Sequence, residues 1–393
     1  MPSPLEGRRL WLAGIGGAGM SAYAVLARAW GAEVAGWDRV HTPYLDQLEG
    51  IDVEISADPP TPPEGWEVFV STAFAARVPG KTRAELLAEL VSLRDSIVVA
   101  GAHGKTTTSA MISYCLERLG RDPAWLIGAD VPQLGGNAGT GNGWLVVEGD
   151  ESDRTLAALE PRIAVLTNID LDHHAMFASR AEVEELFTTW LDRAPHAVRG
   201  DELMPYEGSL DVAGEHNRRN AASALAALEL AGLTREEVEP VLAEFSGAAR
   251  RLDRRGERGG VEVYDDYAHH PAEIRATLAA LRDYARLLVL FQPHLYSRTR
   301  HLARELAVAL GSADVVAVTD VYPAREMPIQ NVTGKLVVDA LTDLRPGMTV
   351  AWTPAVEDGA AFIASVARPG DRVVTIGAGD VDRAAELLLE GVG

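Results

Sequence analysis

One local pattern constrains this chain more than any other: an apolar run, a turn, and a helix directly after it, recurring along the whole length. Arg9-Leu-Trp-Leu-Ala-Gly14 leads into Gly14-Ile-Gly16-Gly17-Ala-Gly19-Met20-Ser21 and an apolar helix to Trp30, and residues 33–37 then read as a second strand ending at Asp38. Ser96-Ile-Val-Val-Ala100 leads into Gly101-Ala102-His103-Gly104-Lys105-Thr106-Thr107-Thr108 and a helix to about Leu119. Residues 144–148 and 163–167 are further apolar strands ending in polar residues, and an Ala-rich helix spans 217–231. A third series follows the basic run Arg250-Arg251-Leu252-Asp253-Arg254-Arg255, with strands at 261–264, 287–291, 314–318, 349–352 and 372–376 and helices between them, such as 272–284 and 301–310. Strands alternating with helices build doubly wound, mostly parallel sheets, so the expected class is α/β. At 393 residues the chain exceeds what one core organises, and two or three domains are expected.

The two glycine turns carry different information. Glycines let a backbone approach a phosphate closely, and the helix that follows favours negative charge at its N-terminus. The turn at Gly14–Ser21, with Asp38 about 20 residues on, fits a dinucleotide or sugar-nucleotide fingerprint without saying which. The turn at Gly101–Thr108 says more. Its spacing, Gly-x-x-Gly-Lys-Thr, is shorter than the common phosphate loop, but Lys105 supplies a point charge for β- and γ-phosphates and Thr106 can reach Mg²⁺. An oxidoreductase built on the first turn alone would leave this second loop without a task.

Composition narrows the partners. Lys and Arg total 36 against 57 Asp and Glu, a formal charge of −21, which argues against nucleic-acid or membrane-surface binding. Anionic substrates must then be met by local cations. The lone cysteine, Cys115, fits a reducing compartment and a buried, inert thiol. No apolar run reaches the ~18 residues of a transmembrane helix, and no signal-peptide pattern precedes Arg9, so a cytoplasmic protein is expected.

Taken in order, the motifs resemble the Mur ligase family, and within it the alanine-adding branch. Besides the two turns, the resemblance rests on Glu148-Gly-Asp-Glu-Ser-Asp153, Asn168-Ile-Asp-Leu-Asp-His173, His216-Asn217-Arg-Arg-Asn220, Arg250-Arg251, Asp265-Asp266-Tyr267-Ala-His269-His270-Pro271, Phe291-Gln-Pro-His294 and Gly377-Ala-Gly-Asp380. It spans nearly the whole chain. It implies three domains: a Rossmann-like UDP-sugar domain at 1–95, a P-loop ATPase domain at 96–247, and a doubly wound C-terminal domain at 248–393 that contributes to ATP and amino-acid binding. It also implies the activity: ATP-dependent ligation of L-alanine to the lactyl carboxylate of UDP-N-acetylmuramate through an acyl phosphate, with Mg²⁺, in peptidoglycan precursor synthesis. A monomer or weak homodimer is expected.

The implied roles follow residue by residue. Gly101, His103, Gly104, Lys105, Thr106 and Thr107 would hold the nucleotide phosphates, and Thr106, Glu148 and His173 the metal. An Asn side chain both donates and accepts, so Asn217 and Asn220, beside His216, could read an adenine edge; helix capping by Asn217 is the alternative. Arg251 would reach the γ-phosphate and Asp266 the ribose. Gly16, Gly17, Gly19, Met20, Ser21, Asp38, Ser71 and Thr72 would line the sugar-nucleotide site. Tyr267, His269, His294 and Arg298 would face the lactyl group and the incoming amine, Arg298 by a bidentate fork to a carboxylate and His269 or His294 by positioning or deprotonating the amine.

The chain departs from the family pattern in three ways. Ala102 stands in place of a Thr, and Leu295 in place of the Arg that usually follows Phe-Gln-Pro-His. Part of a first-domain loop is also missing between Ala73 and Arg83, and further material between Leu191 and Gly214, where the family has additional strands. Two other readings stay open on that account: a related ligase with a different amino acid or acceptor, and an inactive nucleotide-binding regulator.

Overall fold

The computed structural model describes residues 3–150, 155–170, 179–282, 285–324 and 326–391. The chain forms two compact units, one of residues 1–211 and 218–246, the other of residues 212–217 and 247–393.

The first unit contains two sheets. β1 (Arg9–Ala13), α1 (Ala18–Ala29), β2 (Glu33–Asp38), β3 (Asp52–Ile55), β4 (Glu67–Val70), β5 (Lys81–Thr82) and α2 (Arg83–Ser92) form a parallel sheet of order β3-β2-β1-β4-β5. Strand order reverses at β1, and the crevice beyond the carboxyl ends of β1 and β4 is where such sheets bind ligands. A Thr82–Glu85 capping box starts α2. The second sheet is built from β6 (Ser96–Ala100), β7 (Ala124–Val131), β8 (Gly136–Thr140), β9 (Leu145–Glu148), β10 (Ile163–Leu166) and β11 (His196–Arg199), in the order β11-β10-β6-β9-β7-β8. Its helices are α3 (Lys105–Arg118), α4 (Arg180–Arg193), α5 (Glu215–Leu230) and α6 (Arg235–Leu242). All its pairings are parallel except the β7–β8 hairpin. One continuous apolar core, including Leu12, Leu26, Leu86, Val98, Val147 and Phe187, serves both sheets. Cys115 lies inside α3, and burial pushes its thiol up to about 12, so it is inert at neutral pH.

The second unit holds β12 (Asp253–Arg258), β13 (Val261–Asp266), α7 (Pro271–Leu281), β14 (Leu287–Phe291), α8 (Tyr296–Leu310), β15 (Val315–Val318), α9 (Lys335–Leu344), β16 (Thr349–Trp352), α10 (Val356–Val366), β17 (Arg372–Ile376) and α11 (Arg383–Gly391). The sheet order is β12-β13-β17-β14-β15-β16, parallel apart from β12. Side chains alternate along each strand. Val289 and Phe291 therefore pack with α7, α8 and α9, while Leu288 and Leu290 pack with α10 and α11. The sheet is covered by helices on both faces, as the apolar strands required.

Several elements differ from expectation. The last three residues of the basic run open a strand that the sequence did not mark: β12 pairs with β13 across Gly259 and Gly260, both at positive φ (59° and 76°), the backbone a two-residue hairpin turn needs. Helix α8 begins at Tyr296, five residues before the expected start, and the Ala-rich helix begins at Glu215. Among the described residues no helix is long and apolar enough to cross a membrane.

Two substitutions test this packing. Leu290→Ala empties a fully buried site and is expected to cost about 2–5 kcal/mol. Thr234→Ala removes the capping box of α6, at about 1 kcal/mol. Urea titration followed by circular dichroism should rank the midpoints wild type, Thr234→Ala, Leu290→Ala.

Candidate active site

In the first unit the phosphate loop leaves β6 at Ala100 and becomes α3 at Lys105. Two glycines make that reversal possible. Gly101 has φ +132°, and a Cβ there would lie 2.2 Å from the Thr167 hydroxyl. Gly104, at φ +83°, is the N-cap of α3, and a Cβ would lie 2.3 Å from Asn220 Oδ1. Asn220 thus packs against the loop. The Lys105 ammonium donates to the carbonyl oxygens of Gly101 (2.6 Å) and Ala102 (3.4 Å), folded over the loop where phosphate charge would be met. Thr107 is buried in the first turn of α3.

Glu148 ends β9, beside β6 in register with Val99. Its Oε2 accepts from the Thr106 hydroxyl at 2.9 Å and from the Gly128 amide at 2.8 Å. A hydroxyl and a carboxylate converging on one point suit a hard, oxygen-seeking cation, so these two residues fit Mg²⁺. His173 lies outside the described residues. On the other side of the loop, Asn168 and Thr167 bind the main chain of His103 through their side chains. The His103 ring lies 3.7 Å from Asp170.

The glycine turn after β1 is closed by its own side chains. Gly14 is at φ +82°, and a Cβ would lie 2.3 Å from the Ser71 Oγ. Asp38 accepts from the Gly16 amide (2.8 Å) and the Arg39 amide (2.7 Å), while Thr42 donates to the Gly16 carbonyl (2.7 Å). The expected ribose acid therefore shapes the turn itself. Gly17 caps α1, and Gly19 stands 3.3 Å, measured from a Cβ position, from the Arg83 guanidinium. Met20 packs into the core and Ser21 is buried with its hydroxyl on Ala18 O, so neither lines the turn's surface. Thr72 is exposed in the turn after Ser71.

In the second unit, Arg250 and Arg251 play distinct parts. Arg250, at φ +58°, donates to Asp265 (2.9 Å) and to the carbonyls of Gly377 (2.7 Å) and Gly379 (3.0 Å), which makes it a structural tie. Arg251 lies over the Tyr267 ring at 5.0 Å, with Arg250 at 5.1 Å. Asp266 accepts from the Leu252 (2.7 Å) and Ala268 (2.8 Å) amides. Burial pushes its carboxyl up to about 6, against the pull of Arg251 and those two amides.

From Tyr267 runs a series of rings: His269 edge-on at 5.6 Å, His294 a further 5.5 Å away, and Tyr322 stacked on His294 at 6.0 Å and 18°. Arg298, buried in the first turn of α8, meets His294 Nδ1 at 3.0 Å. Four of the expected substrate residues are thus brought together. Tyr322 was not foreseen; it lies in a loop with no motif of its own, and a backbone bridge to His294 places it. Leu295 has φ +67°, held by its amide on the Tyr322 carbonyl at 3.0 Å. Asn217 does not cap α5: two residues inside it, its side chain donates to Ala213 O at 2.7 Å. Burial lowers the pKa of neighbouring His216, keeping its ring neutral at pH 7.

Parallel sheets carrying a phosphate loop against a strand-end carboxylate place the chain among P-loop α/β nucleotide-binding proteins. Comparison with known proteins narrows this. Residues 99–198 match the Mur ligase middle domain and residues 250–379 the Mur ligase, glutamate ligase domain. The chain belongs to the Mur ligase family. It is 38% identical to the UDP-N-acetylmuramate--L-alanine ligase of Rubrobacter xylanophilus, over 97% of this chain and 99% of that one. The enzyme of that name from Streptomyces avermitilis is 36% identical over 96% of each. Among solved structures, UDP-N-acetylmuramate-alanine ligase MurC from Thermotoga maritima superposes with a TM-score of 0.77 at 25% identity, covering 97% of this chain and 98% of that one.

The raised pKa of Asp266 has a measurable sign. The folded protein holds this proton more tightly than the unfolded chain, so the associated stability is present near pH 4 and is lost as pH rises through about 6. Asp266→Asn removes that loss. Its stability relative to wild type should improve between pH 4 and pH 7 by on the order of 2–3 kcal/mol, read from urea midpoints at each pH. A difference independent of pH would contradict the buried carboxyl.

Proposed function

We infer that this chain is an ATP-dependent ligase that joins L-alanine to the lactyl carboxylate of UDP-N-acetylmuramate in peptidoglycan precursor synthesis. The observation that carries the reading is identity at 38% with a UDP-N-acetylmuramate--L-alanine ligase across nearly all of both chains. The phosphate loop and the Tyr267–His294–Arg298 cluster support it from the chemistry.

A carboxylate resists attack by an amine until it is activated. A lactyl oxygen attacks the γ-phosphorus, ADP leaves, and an acyl phosphate forms. The amine then adds to the carbonyl carbon, loses a proton, and the tetrahedral intermediate expels inorganic phosphate. Lys105 supplies charge to the β- and γ-phosphates. Thr106 and Glu148, with His173, would hold Mg²⁺, which when bound neutralises phosphate charge. Gly104 and Thr107 cradle the nucleotide phosphates, in a loop that Gly101 and His103 shape. Arg251 serves the γ-phosphate and Asp266 the ribose, while His216, Asn217 and Asn220 serve the adenine. Arg298 suits the alanine carboxylate, and His269 or His294 the proton of its amine. The turn of Gly16, Gly17 and Gly19, with Asp38, Ser71 and Thr72, serves the sugar nucleotide.

The three sheets support domains at 1–95, 96–247 and 248–393. The reaction belongs in the cytoplasm, where ATP is available, and a monomer or weak homodimer suffices for it. A second reading, the same chemistry with another amino acid or acceptor, rests on Leu295, where the family's usual Arg would bring a positive charge.

Phosphate release from MgATP and UDP-N-acetylmuramate should require L-alanine and disappear in Lys105→Ala. Release with a different amino acid in place of alanine would establish the second reading. No release with any amino acid, from protein that still binds ATP, would sink the ligase assignment.

A further inference from the structure

The first half of the phosphate loop is held from the side by the end of β10. Strand pairing between β6 and β10 continues past both strands: the Thr167 amide donates to Ala100 O at 2.9 Å, and the Ala102 amide to Asn168 O at 3.1 Å. There the backbones diverge and side chains take over. Asn168 Oδ1 accepts from the His103 amide at 3.0 Å, and Asn168 Nδ2 donates to the His103 carbonyl at 2.8 Å. The Thr167 hydroxyl donates to the same carbonyl at 2.6 Å. A planar amide accepts and donates in one plane, as a peptide group does, so Asn168 extends the sheet by one more residue pair. Gly101 lets the two segments approach this closely, since a Cβ there would lie 2.8 Å from Asn168 O as well as against Thr167.

This commits specific groups. The amides of Ala102 and His103 face Asn168, so they are not the donors that a phosphate would meet. That task passes to Gly104 and the first turn of α3, whose amides lack acceptors within the helix by construction. The position of that turn depends on where residues 101–103 are pinned.

We propose that Asn168 is a positioning residue for the nucleotide: it fixes the His103 peptide so that the loop is set for phosphate before ATP arrives. The proposal rests on the loop being the ATP site. Preorganisation of this kind lowers the ordering cost of binding and acts on the nucleotide alone. The sugar nucleotide and the amino acid do not depend on it.

The experiment is ATP binding to the full-length protein by titration calorimetry, with KM for ATP, UDP-N-acetylmuramate and L-alanine, for Asn168→Ala and Asn168→Asp. Loss of two hydrogen bonds to the loop should weaken ATP binding about tenfold or more in Asn168→Ala. Asn168→Asp keeps an acceptor for the His103 amide but turns a carboxylate toward the His103 carbonyl and adds charge beside the phosphates, so it should bind ATP more weakly still. KM for the other two substrates should stay within about twofold of wild type. Unchanged ATP affinity in both variants would overturn the proposal, as would equal weakening of all three ligands with a lowered melting temperature, the mark of a general packing role. Should wild type bind ATP without turnover, the ligase reading fails while the calorimetric comparison still decides the role of Asn168. Should wild type bind no ATP, both fail.

Discussion

The phosphate loop of the first unit depends on a steric constraint: a strand must become a helix within four residues. Gly101 and Gly104 satisfy it at φ values closed to most side chains, and neighbouring groups fill the space their missing Cβ atoms leave. Thr167 and Asn168 occupy one side and Asn220 the other. The neighbours of β6 in the sheet then complete the arrangement. β9 brings Glu148 to Thr106, and β10 brings Asn168 to His103. A loop, the carboxylate bonded to its helix and its brace thus come from three adjacent strand ends.

The electrostatics follow the same local logic. In a chain of net charge −21, the cations of the candidate site are placed among backbone and aromatic partners. Lys105 lies on loop carbonyls, and Arg251 lies over Tyr267. Arg298 is buried against His294. The acids nearby are partly absorbed into the fold. Asp265 is tied to Arg250 and Thr375, and Asp38 to the turn amides, which leaves fewer bare carboxylates to repel phosphate.

What could be read from the sequence was what contacts over short range define. The phosphate loop depends on residues a few positions apart, and the strands of the second unit on runs that are apolar on both faces, so both were legible. Asn168 reaches His103 from 65 positions away, and its motif named the residue without its partner. Gly128 meets Glu148 only because β7 pairs with β9. The early start of α8 was hidden for a similar reason: residues 296–300 lack an apolar stripe, and the first turn is held by Glu326, which accepts from the Ser297 amide at 2.8 Å. Asp38 is the reverse case: its position matched a ligand-binding acid, and only the structure shows that its carboxylate also shapes its own turn.

The chain is short for its family, since its match to the Rubrobacter xylanophilus relative runs over 444 aligned positions against 393 residues here. The sequence places much of the missing material between Leu191 and Gly214, and the second sheet shows why that region can be trimmed. Among the described residues β11 stands at the sheet's edge, paired only with β10, and the chain beyond it is stitched directly to α5. The Tyr206 amide donates to Arg218 O, and the Arg218 guanidinium to the carbonyls of Tyr206 and Gly208. The strands that carry Glu148, the phosphate loop and Asn168 occupy the interior of the sheet, order β10-β6-β9, and are covered on each side by a further strand. Loss of material outside β11 leaves their register untouched, so a shortened sheet can keep the phosphate loop with Glu148 and Asn168 beside it.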